Sequence, residues 1–506
     1  MGPEEKCGVT AVSVPGKGAA PYLYLGLRAL QHRGQESAGI VTSSHGRFYN
    51  RRQMGLVHEV FDRDALDALR GSAGIGHVRY STRGASSVQN AQPIIIPTRD
   101  GDLALGQNGD IVNYQPLRRR LQQEGIEFIG NADTEVIGNY LATEYENSTS
   151  MEFAIKRLMG EVSGGYAIVM LHGQKIYAFR DPLGIRPLSL GKLENGFAVA
   201  SESVAIELMG GTDVRDVQPG EIIVIEEPKG KKEGQLPLQV KSVKGTTPRH
   251  TAHCMFEWVY FSRPDSIIDA RLVYEVRYRI GEMLGRESPA QADVVIPVPD
   301  SSRPQALGLS HVSGIPYAEG LIKNRFVERT FILPDQRRRE EEVRVKLHPV
   351  PGVIKGKRIV LMDDSIVRGT TLKEIVAMVR TAGATEVHVR VGCPPITAPC
   401  YFGIDMKDRR DLIAYQRTVQ EVAGLIGADS VAYLSMQGLF DAIQMKESEL
   451  CVGCLTGRYP VSVPQEHRRL QKSLGDFSAE PGPVRATPAA ARARGLPEKV
   501  FRKART

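Results

Sequence analysis

Two patterns of apolar positions meet in the second half of the chain, and together they predict a parallel α/β domain. Residues 359–362 (IVLM) form a short continuous apolar run, which is typical of a strand buried on both faces of a parallel sheet. After a polar stretch, apolar side chains return at helical spacing at Leu372, Ile375 and Val379. The pattern therefore predicts a strand, a loop and a helix in immediate succession.

Other apolar runs bound the architecture of the whole chain. Val294 begins a second run (VVIPVP) that predicts a buried strand, and the β-branched run after Cys7 predicts a short strand. No run approaches the roughly eighteen apolar residues that a membrane helix requires, and we find no signal peptide before the first strand. We therefore expect a cytoplasmic protein without a membrane partner, and at 506 residues one with at least two domains.

The polar residues between the predicted strand and helix indicate phosphate chemistry. Asp363 and Asp364 stand where the strand should end, and a turn of Ser, Gly and Thr residues opens the helix. Such a turn offers N–H groups and hydroxyls to a phosphate at the sheet edge where ligands bind. An acid pair suits ribose hydroxyls or a hard divalent cation. The alternative is a solvated loop with two chance acids, which leaves the ordered run of features unexplained.

This segment, IVLMDDSIVRGTT, resembles the phosphoribosylpyrophosphate (PRPP) signature of type I phosphoribosyltransferases. It is neither a GxxxxGK[ST] phosphate loop nor a GxGxxG fingerprint. The resemblance implies a sugar-phosphate donor that is activated by pyrophosphate. It assigns PRPP binding to Asp363, Asp364, Ser365, Arg368, Gly369, Thr370 and Thr371.

The loop after the strand at Val294 completes the core of the site that this resemblance implies. Asp300 and Ser302 are expected to bind PRPP. Ser301 is expected to join Asp363 and Asp364 in binding Mg²⁺, which prefers oxygen ligands.

Residues 323–346 are densely charged, with eight Lys/Arg and five Asp/Glu. Such a segment is commonly a solvated hairpin, but beside pyrophosphate it also suits a basic lid that excludes water. The family has such a lid, so we expect one here, with Lys323, Arg325 and Lys346 binding PRPP. Phe326 replaces the usual Tyr and Glu328 the usual Gly, which predicts weaker binding or a different closure.

Cys7, just before the first predicted strand, is a candidate nucleophile. An N-terminal cysteine can use its own α-amino group as general base once the preceding residues are removed. The two groups are suited to this, because an α-amine titrates at about 7.7–8.0 and a thiol at about 8.5. Taken alone, the residue could equally be an incidental core thiol.

The following segments supply the other groups that a cysteine needs to cleave a glutamine amide. These are a cation for the substrate carboxylate, an anion for its ammonium group, and donors for the oxyanion. Arg79 offers the cation, with Thr82 in the same loop, and Asp133 offers the anion. The Asn108 side chain and the Gly109 N–H offer the oxyanion donors. Singly, Asp133 could be a helix cap and Arg79 a surface ion pair, but neither alternative explains the set.

These residues resemble the N-terminal-nucleophile (Ntn) glutaminase domain of class II amidotransferases. With the PRPP signature behind them, the chain resembles the glutamine PRPP amidotransferases from Cys7 to about Pro460. Residues 164–166, 180–187 and 201–203 also match the glutaminase core of that family. One departure is the sequence QNGD at 107–110, where the family commonly has His and Asn on either side of the Asn-Gly pair.

The resemblance implies a chain of mixed α/β and α+β class with two catalytic domains. Residues 7–240 are expected to form a four-layer αββα Ntn-hydrolase glutaminase. Residues 250–463 are expected to form a type I phosphoribosyltransferase domain with a parallel sheet, after a charged, glycine-containing boundary. Residues 1–6 are expected to be a cleaved leader and residues 464–506 a disordered basic tail.

Four of the six cysteines suggest a metal centre. Cys451 and Cys454 form a CxxC pair, while Cys254 and Cys400 are distant in sequence. Disulfides are not expected in a cytosolic chain, and four thiolates suit zinc or an iron–sulfur cluster equally well, so spacing does not decide. A branch of the family carries a 4Fe-4S cluster on cysteines in these contexts, together with a cleaved leader. The resemblance therefore implies such a cluster, with Cys393 as a plain buried thiol.

The net charge of +7 invites a nucleic-acid interpretation, but its distribution argues against one. Residues 466–506 hold ten Lys/Arg and four Asp/Glu, so nearly all of the excess lies in the tail. This tail is rich in Pro, Ala and Arg and has little to bury, which predicts a solvated appendage. A weak anionic partner of the tail is the alternative, and no nucleic-acid partner is expected for the body.

The resemblance implies a pentosyltransferase that is driven by glutamine. Ammonia from glutamine would displace pyrophosphate from PRPP to give 5-phosphoribosylamine, the first committed step of purine synthesis, with Mg²⁺ neutralising the leaving group. Purine nucleotides are the implied feedback inhibitors, and a homo-oligomer, tetramer or dimer, is the implied assembly. The alternatives are a PRPP-sensing regulator and a class II amidotransferase with another acceptor.

Overall fold

A computed structural model describes residues 7–80, 86–148, 150–226, 238–247, 250–324, 347–406 and 408–463. Two α/β units follow one another along these ranges. The predicted leader, the predicted tail and most of the predicted lid, including Phe326 and Glu328, lie outside the described residues, as do Thr82, Arg325 and Lys346. No helix within the described residues is long and apolar enough to cross a membrane.

The first unit consists of two antiparallel sheets with helices on their outer faces. Its strands are β1 Gly8–Ser13, β2 Ser37–Ser44, β3 Arg47–Met54, β4 Ala73–Arg79, β5 Ile94–Thr98, β6 Gly101–Ile111, β7 Gly164–His172, β8 Lys175–Arg180, β9 Ser189–Leu193, β10 Gly196–Ala200, β11 Thr212–Asp216, β12 Glu221–Glu226 and β13 Gln239–Lys244. Its helices are α1 Ala20–Ala29, α2 Val57–Val60, α3 Arg63–Ala68, α4 Tyr114–Gln123, α5 Asp133–Ser148, α6 Met151–Glu161 and α7 Ser203–Leu208.

The two sheets lie face to face and give the four layers that were predicted. One sheet has the order β11-β9-β10-β1-β4-β2-β3 and the other β13-β12-β8-β7-β6-β5. Val9 and Ile75 of the first sheet pack against Val169 of the second, so apolar side chains fill the space between the sheets. α1 and α7 cover the first sheet, and α4, α5 and α6 cover the second. The boundary predicted at residue 240 falls inside β13, which pairs with β12 as far as Lys244.

The second unit is built around a parallel sheet with the order β17-β20-β21-β22. Its strands are β14 His253–Cys254, β15 Ile267–Ile268, β16 Arg271–Leu272, β17 Val294–Pro297, β18 Leu321–Lys323, β19 Leu347–Pro349, β20 Arg358–Asp363, β21 Glu386–Val391, β22 Ser430–Tyr433 and β23 Leu450–Cys451. Its α-helices are α8 Val273–Glu287, α9 Arg303–Ser313, α10 Pro351–Ile354, α11 Thr370–Thr381, α12 Val419–Ile426, α13 Met436–Ile443 and α14 Gly453–Thr456, and a π-helical turn spans Glu257–Phe261.

The predicted strand, loop and helix around the acid pair are present as β20 and α11. β20 is central and buried, flanked by β17 on one side and β21 on the other, which explains its continuous apolar run. α11 buries Leu372, Ile375 and Val379, the residues whose spacing predicted it. The acid pair therefore lies at the carboxyl edge of the sheet.

The two units share one hydrophobic core. Val112 and Ile185 of the first unit pack in the same cluster as Phe256, Trp258 and Phe402 of the second. A continuous core of this kind fixes the two units relative to one another, because separating them would expose apolar surface to water.

Candidate functional site

Cys7 lies at the start of β1 and is buried, with 7% of its surface exposed. Its backbone nitrogen donates to the Arg33 carbonyl at 2.9 Å, and its Sγ lies 4.0 Å from the Tyr80 carbonyl oxygen. Its φ of 108° is a value that non-glycine residues rarely adopt, and such strain concentrates at functional sites. The nitrogen and sulfur of one residue are thus held by carbonyls from two different segments.

The two predicted oxyanion donors lie on β6, in the sheet that packs against β1 and β4. Asn108 is 1% exposed, and its Nδ2 has no hydrogen-bond partner among the described residues. An unpaired buried donor is costly, so it is typical of a site that a ligand completes. Gly109 has a φ of 123°, and a Cβ there would lie 2.0 Å from the Gly165 carbonyl oxygen, so only glycine fits.

The two predicted anchors for the glutamine substrate are both buried. Arg79 is the last residue of β4 and is 2% exposed. Asp133 is the first residue of α5, and its Oδ2 accepts from the Ile111 N–H at 3.1 Å and from Gln107 Nε2 at 3.2 Å. A carboxylate at a helix N-terminus is stabilised by the helix dipole, so Asp133 has both a structural role and the charge that the site requires.

Asp363 and Asp364 end β20 side by side. The Ser301 hydroxyl donates to Asp364, so the structure brings together the three predicted Mg²⁺ ligands. Burial and the charge of Asp364 raise the pKa of Asp363 well above its ordinary value. Burial also raises the pKa of Asp364, against the hydrogen bonds from Ser301 and Ser365. Two adjacent acids, Asp364 buried and Asp363 half-buried, favour a cation between them.

The turn of Ser, Gly and Thr residues that was predicted between β20 and α11 is present. Gly369 adopts a φ of 77° just before α11, and a Cβ there would lie 2.2 Å from Ile413 Cδ1. Thr370 and Thr371 form the first turn of α11, where backbone N–H groups lack intrahelical partners. The Ser365 hydroxyl donates to Asp364 Oδ1 at 2.7 Å. Arg368 is exposed, and its Nε lies 3.8 Å from Asp411 Oδ2.

Two further residues that were predicted to bind PRPP, Asp300 and Ser302, lie in the loop after β17, and a third, Lys323, ends β18. Asp300 is exposed and pairs with Lys323 Nζ and with Arg303 Nη1, each at 2.8 Å. Ser302 is buried just before α9, and its hydroxyl donates to the Val298 carbonyl. Lys323 is therefore held beside the loop by Asp300, within reach of the same edge of the sheet.

A cavity of about 1480 Å³ lies between the two units and reaches from the neighbours of Cys7 to the acid pair. At one end its lining includes Gly34 and Tyr80, whose carbonyl oxygen lies beside the Cys7 sulfur. At the other end it includes both acids of β20. Other lining residues that bear on PRPP binding are Asp300, Ser301, Lys323, Ser365, Gly369 and Thr371.

The four cysteines of the predicted cluster come from three separate segments that meet near the first unit. Cys254 and Cys451 are directly opposite in the parallel pair β14–β23. The Cys454 carbonyl accepts from the N–H groups of residues 397 and 398, which lead to Cys400. Burial, together with the nearby Cys400, raises the pKa of the Cys451 thiol to about 12, against the backbone hydrogen bond from Gly453. Among the described residues, however, no three His, Cys, Asp or Glu side chains already surround a metal position.

Cys393 is fully buried, as expected for the thiol left outside the set. Burial and the charge of Asp364 raise its pKa well above the ordinary value. Cys393 also lies near enough to Cys454 to add to the rise that burial causes in the pKa of the Cys454 thiol.

A buried ion network joins the two units beside these sites. Arg33, whose carbonyl holds the Cys7 nitrogen, donates to Glu202 and, at 2.6 Å, to Glu257 of the second unit. Burial opposes ionisation of Glu202, but Arg33 outweighs it and the pKa of Glu202 is lowered. Arg186 donates to Glu257 at 3.1 Å and to the Phe402 carbonyl at 2.8 Å.

The segment that contains Cys400 also lies directly on the first unit. A Cβ on Gly403 would lie 2.7 Å from Arg186 Nη2 and 3.0 Å from the Gly109 Cα, so this glycine permits a close approach of the two backbones. The candidate oxyanion residue of the first unit is thus packed against the second unit.

Comparison with known proteins decides the family. A glutamine amidotransferase domain model matches residues 77–207. The amidophosphoribosyltransferase of Methanothermobacter thermautotrophicus is 49% identical over 464 residues, which cover 91% of this chain and 96% of that protein. The chain belongs to the amidophosphoribosyltransferase family. Relatives in this family include the Archaeoglobus fulgidus enzyme, 47% identical over 91% of this chain and 99% of that protein.

Solved structures of the family agree with the fold. The Bacillus subtilis glutamine PRPP amidotransferase in complex with ADP and GMP matches with a TM-score of 0.83 and 41% identity, over 91% of this chain and 98% of that chain. A structure described as the allosteric regulatory enzyme of purine biosynthesis also matches with a TM-score of 0.83, at 40% identity, over 91% of this chain and 97% of that chain. The protein is thus a pentosyltransferase of the glutamine-dependent first step of purine biosynthesis, with the predicted two-domain fold.

Several residues that border the site were not predicted from the sequence. Arg33 and Tyr80 hold Cys7 through backbone carbonyls, which any residue type would provide, so no sequence signal marks them. Arg186 belongs to a motif that matched the family, but its contact with the Phe402 carbonyl depends on tertiary packing. Gln107 departs from the family pattern, but its contact with Asp133 has no signal in the sequence.

Proposed function

We propose that Cys7 cleaves glutamine and that the ammonia passes through the shared cavity to PRPP held at Asp363 and Asp364. The observation that carries this proposal is the cavity itself, which borders Tyr80 beside the nucleophile and both acids of β20. Ammonia released into bulk water at neutral pH becomes ammonium, which is not a nucleophile. A cavity that borders both sites therefore favours transfer over loss, the more so once a lid covers it.

In the first half-reaction, the Cys7 thiolate attacks the amide carbon of glutamine, and the α-amino group of Cys7 takes the thiol proton. The negative charge that develops on the amide oxygen is stabilised by Asn108 Nδ2 and the Gly109 N–H. The amine then returns the proton to the leaving nitrogen, so ammonia departs and a thioester remains. Water hydrolyses the thioester to glutamate. Arg79 and Asp133 bind the substrate carboxylate and ammonium groups.

In the second half-reaction, ammonia attacks C1 of the ribose of PRPP and pyrophosphate leaves, giving 5-phosphoribosylamine. The turn from Ser365 to Thr371 binds the 5-phosphate through N–H groups and hydroxyls. Asp363 and Asp364 bind the ribose hydroxyls. Asp300, Ser302 and Lys323, with Arg325 and Lys346 of the proposed lid, bind pyrophosphate and exclude water.

Oxygen ligands for Mg²⁺ are available from Ser301, Asp363 and Asp364, and the two adjacent acids fit a hard divalent cation. Bound there, Mg²⁺ neutralises charge on the pyrophosphate leaving group. The acids keep their own task in this scheme, which is to orient the ribose.

We infer a 4Fe-4S cluster on Cys254, Cys400, Cys451 and Cys454. The donor set supports this, because four free thiols, three of them buried and that of Cys400 partly buried, suit a cluster that prefers soft ligands. The cluster would supply binding free energy that is available only to the folded chain. No step of the reaction requires it.

Purine nucleotides are proposed as inhibitors, and a homo-oligomer as the working assembly. The B. subtilis relative was solved with ADP and GMP, and a nucleotide monophosphate shares the 5-phosphoribose of PRPP. The same phosphate turn that binds PRPP therefore suits such an inhibitor.

The proposed function is tested by an anaerobic assay with glutamine, PRPP and Mg²⁺. We expect glutamate, pyrophosphate and phosphoribosylamine to form in equal amounts, and pyrophosphate release to require glutamine or ammonia. Binding of PRPP without turnover would instead favour a PRPP-sensing regulator. Glutamine hydrolysis without pyrophosphate release would favour a different acceptor.

The active enzyme is expected to begin at Cys7. While the Cys7 nitrogen is part of an amide bond it is not basic, so a precursor lacks its general base. Intact-mass spectrometry of fractions with glutamine-dependent activity should show a chain that starts at Cys7. Full activity in a chain that still begins at Met1 would contradict this prediction.

The Cys451→Ser variant is expected to give poorly folded, colourless protein. Losing one thiolate removes the cluster, and with it the binding free energy that the cofactor adds to the folded state. The measurements are iron and sulfide content, visible absorption and the thermal midpoint, with Cys393→Ser as the matched buried-thiol control that keeps the cluster. A folded, active, colourless Cys451→Ser enzyme would rule the cluster out.

A further inference from the structure

Gln107 is the residue of the glutaminase motif that departs from the family pattern, and it lies beside Asp133. Gln107 is 1% exposed. It lies on the same face of β6 as Leu105 and Ile111, which is the face that packs under α5. We propose that Gln107 is a positioning residue that orients Asp133 toward the α-ammonium group of glutamine. This proposal rests on the function proposed above, in which Asp133 binds that group.

The contacts of Gln107 fix the direction of the Asp133 carboxylate. Gln107 Nε2 donates to Asp133 Oδ2 at 3.2 Å, and the Ile111 N–H donates to the same oxygen at 3.1 Å. Two donors on one oxygen hold the plane of the carboxylate, and they thereby set the direction of Oδ1. The same Nε2 also donates to the Gly109 carbonyl at 3.3 Å, so a single amide nitrogen bridges the ammonium anchor and the oxyanion strand.

Gln107 is itself held in place by its neighbours. Its N–H donates to Gln92 Oε1 at 2.8 Å, and Gln92 Nε2 donates to the Thr134 hydroxyl at 2.9 Å, next to Asp133. The Gln107 carbonyl is paired with His77 Nε2 at 3.0 Å. A chain of hydrogen bonds therefore runs from β6 through Gln92 to the first turn of α5. It leaves the Gln107 side chain little freedom to move.

The oxygen of the Gln107 amide, Oε1, indicates why the amide nitrogen faces Asp133. Gln107 Oε1 is buried and has no hydrogen-bond partner among the described residues. An unpaired buried acceptor is costly, and rotating the amide would place this oxygen against the Asp133 carboxylate. The two N–H donors are thus what the position requires. A histidine there offers one ring N–H per nitrogen and gains charge on protonation, whereas the amide supplies two donors from one atom and does not ionise.

The central test is the Gln107→Leu variant, which keeps the size of the side chain and removes the donors. The readouts are kcat and KM for glutamine, and the inhibition constant of glutaramate, which is glutamine without its α-amino group. We expect KM to rise about tenfold to a hundredfold, the effect of losing a hydrogen bond to a charged group, with kcat changed by about threefold at most. The inhibition constant of glutaramate should change by about twofold at most, because glutaramate makes no use of Asp133.

Matched variants separate this role from a structural one. Gln107→His restores an N–H donor and should recover most of the affinity for glutamine. Gln305→Leu removes another fully buried amide, in the second unit, and should leave the ratio of the two constants unchanged. Equal weakening of glutamine and glutaramate by Gln107→Leu, or a loss confined to kcat, would overturn the proposal.

Asp133→Asn distinguishes failure of this inference from failure of the proposed function. If Asp133→Asn weakens glutamine but not glutaramate while Gln107→Leu does neither, Asp133 binds the ammonium group and the role of Gln107 is wrong. If Asp133→Asn weakens both ligands equally, the assignment of Asp133 in the proposed function is wrong, and the inference falls with it. Ammonia-dependent activity should persist in each variant and reports that the second unit is folded.

Discussion

Replacing Cys7 with alanine is expected to abolish glutamine-dependent synthesis and to leave ammonia-dependent synthesis intact. Only the first half-reaction uses the thiol, and removing a covalent nucleophile costs roughly 10⁴-fold or more in rate. Pyrophosphate release from PRPP, measured with glutamine and then with added ammonium salt at alkaline pH, separates the two activities. The second unit supplies its own site, so the ammonia-dependent rate is the internal control for folding.

The same experiment tests whether the nucleophile has been assigned correctly. Loss of both activities would mean that Cys7 is needed for the fold, or that the second unit depends on it. Unchanged glutamine-dependent activity would mean that another group cleaves the amide.

The Asp363→Asn and Asp364→Asn variants are expected to lose phosphoribosyl transfer while they keep basal glutamine hydrolysis. In the proposed function each substitution removes a charge that binds ribose and metal, and losing one partner of such an interaction costs about 2–5 kcal/mol, or roughly 30-fold to 5000-fold in kcat/KM for PRPP. PRPP binding by calorimetry with Mg²⁺, beside glutaminase activity without PRPP, measures the two effects separately.

Asp429→Asn is a suitable control for these variants. Asp429 pairs with Arg380 at 2.7 Å and lies just before β22, at the opposite edge of the same sheet. It should lower stability slightly and leave the affinity for PRPP as it is. If the affinity for PRPP were also unchanged in both Asp363→Asn and Asp364→Asn, the acid pair would not be part of the PRPP site.

The strand, loop and helix at the proposed PRPP site could be predicted from the sequence, because the local pattern and the tertiary role coincide there. β20 is central, so its four middle residues, 359–362, are buried and apolar, and α11 buries the residues whose spacing predicted it. The glutaminase residues were predicted for a different reason, since the required chemistry dictated residue types. The described part of the site brings Ser301 to Asp364 and Gln107 to Asp133 across long stretches of sequence.

What could not be predicted depends on contacts that leave no local pattern. Arg33, Glu202 and Glu257 form one ion network from three distant segments, and nothing in the residues around each indicates its partners. The order of strands in the two sheets of the first unit is set by packing between sheets rather than by any one strand. β13 lies inside the charged stretch that predicts the domain boundary, because its pairing with β12 continues to Lys244.

The close packing of Gly403 on Gly109 limits how this protein can be recombined with its relatives. A transplanted glutaminase half would bring its own oxyanion strand, and it must meet a partner half whose backbone fits within the same gap. Arg186 adds a second requirement, because it reaches the carbonyl of Phe402 beside that glycine. Chimeras joined near residue 250 would therefore tolerate sequence differences on the outer helices far better than at the contact between Gly403 and Gly109. The two halves therefore have to be exchanged together.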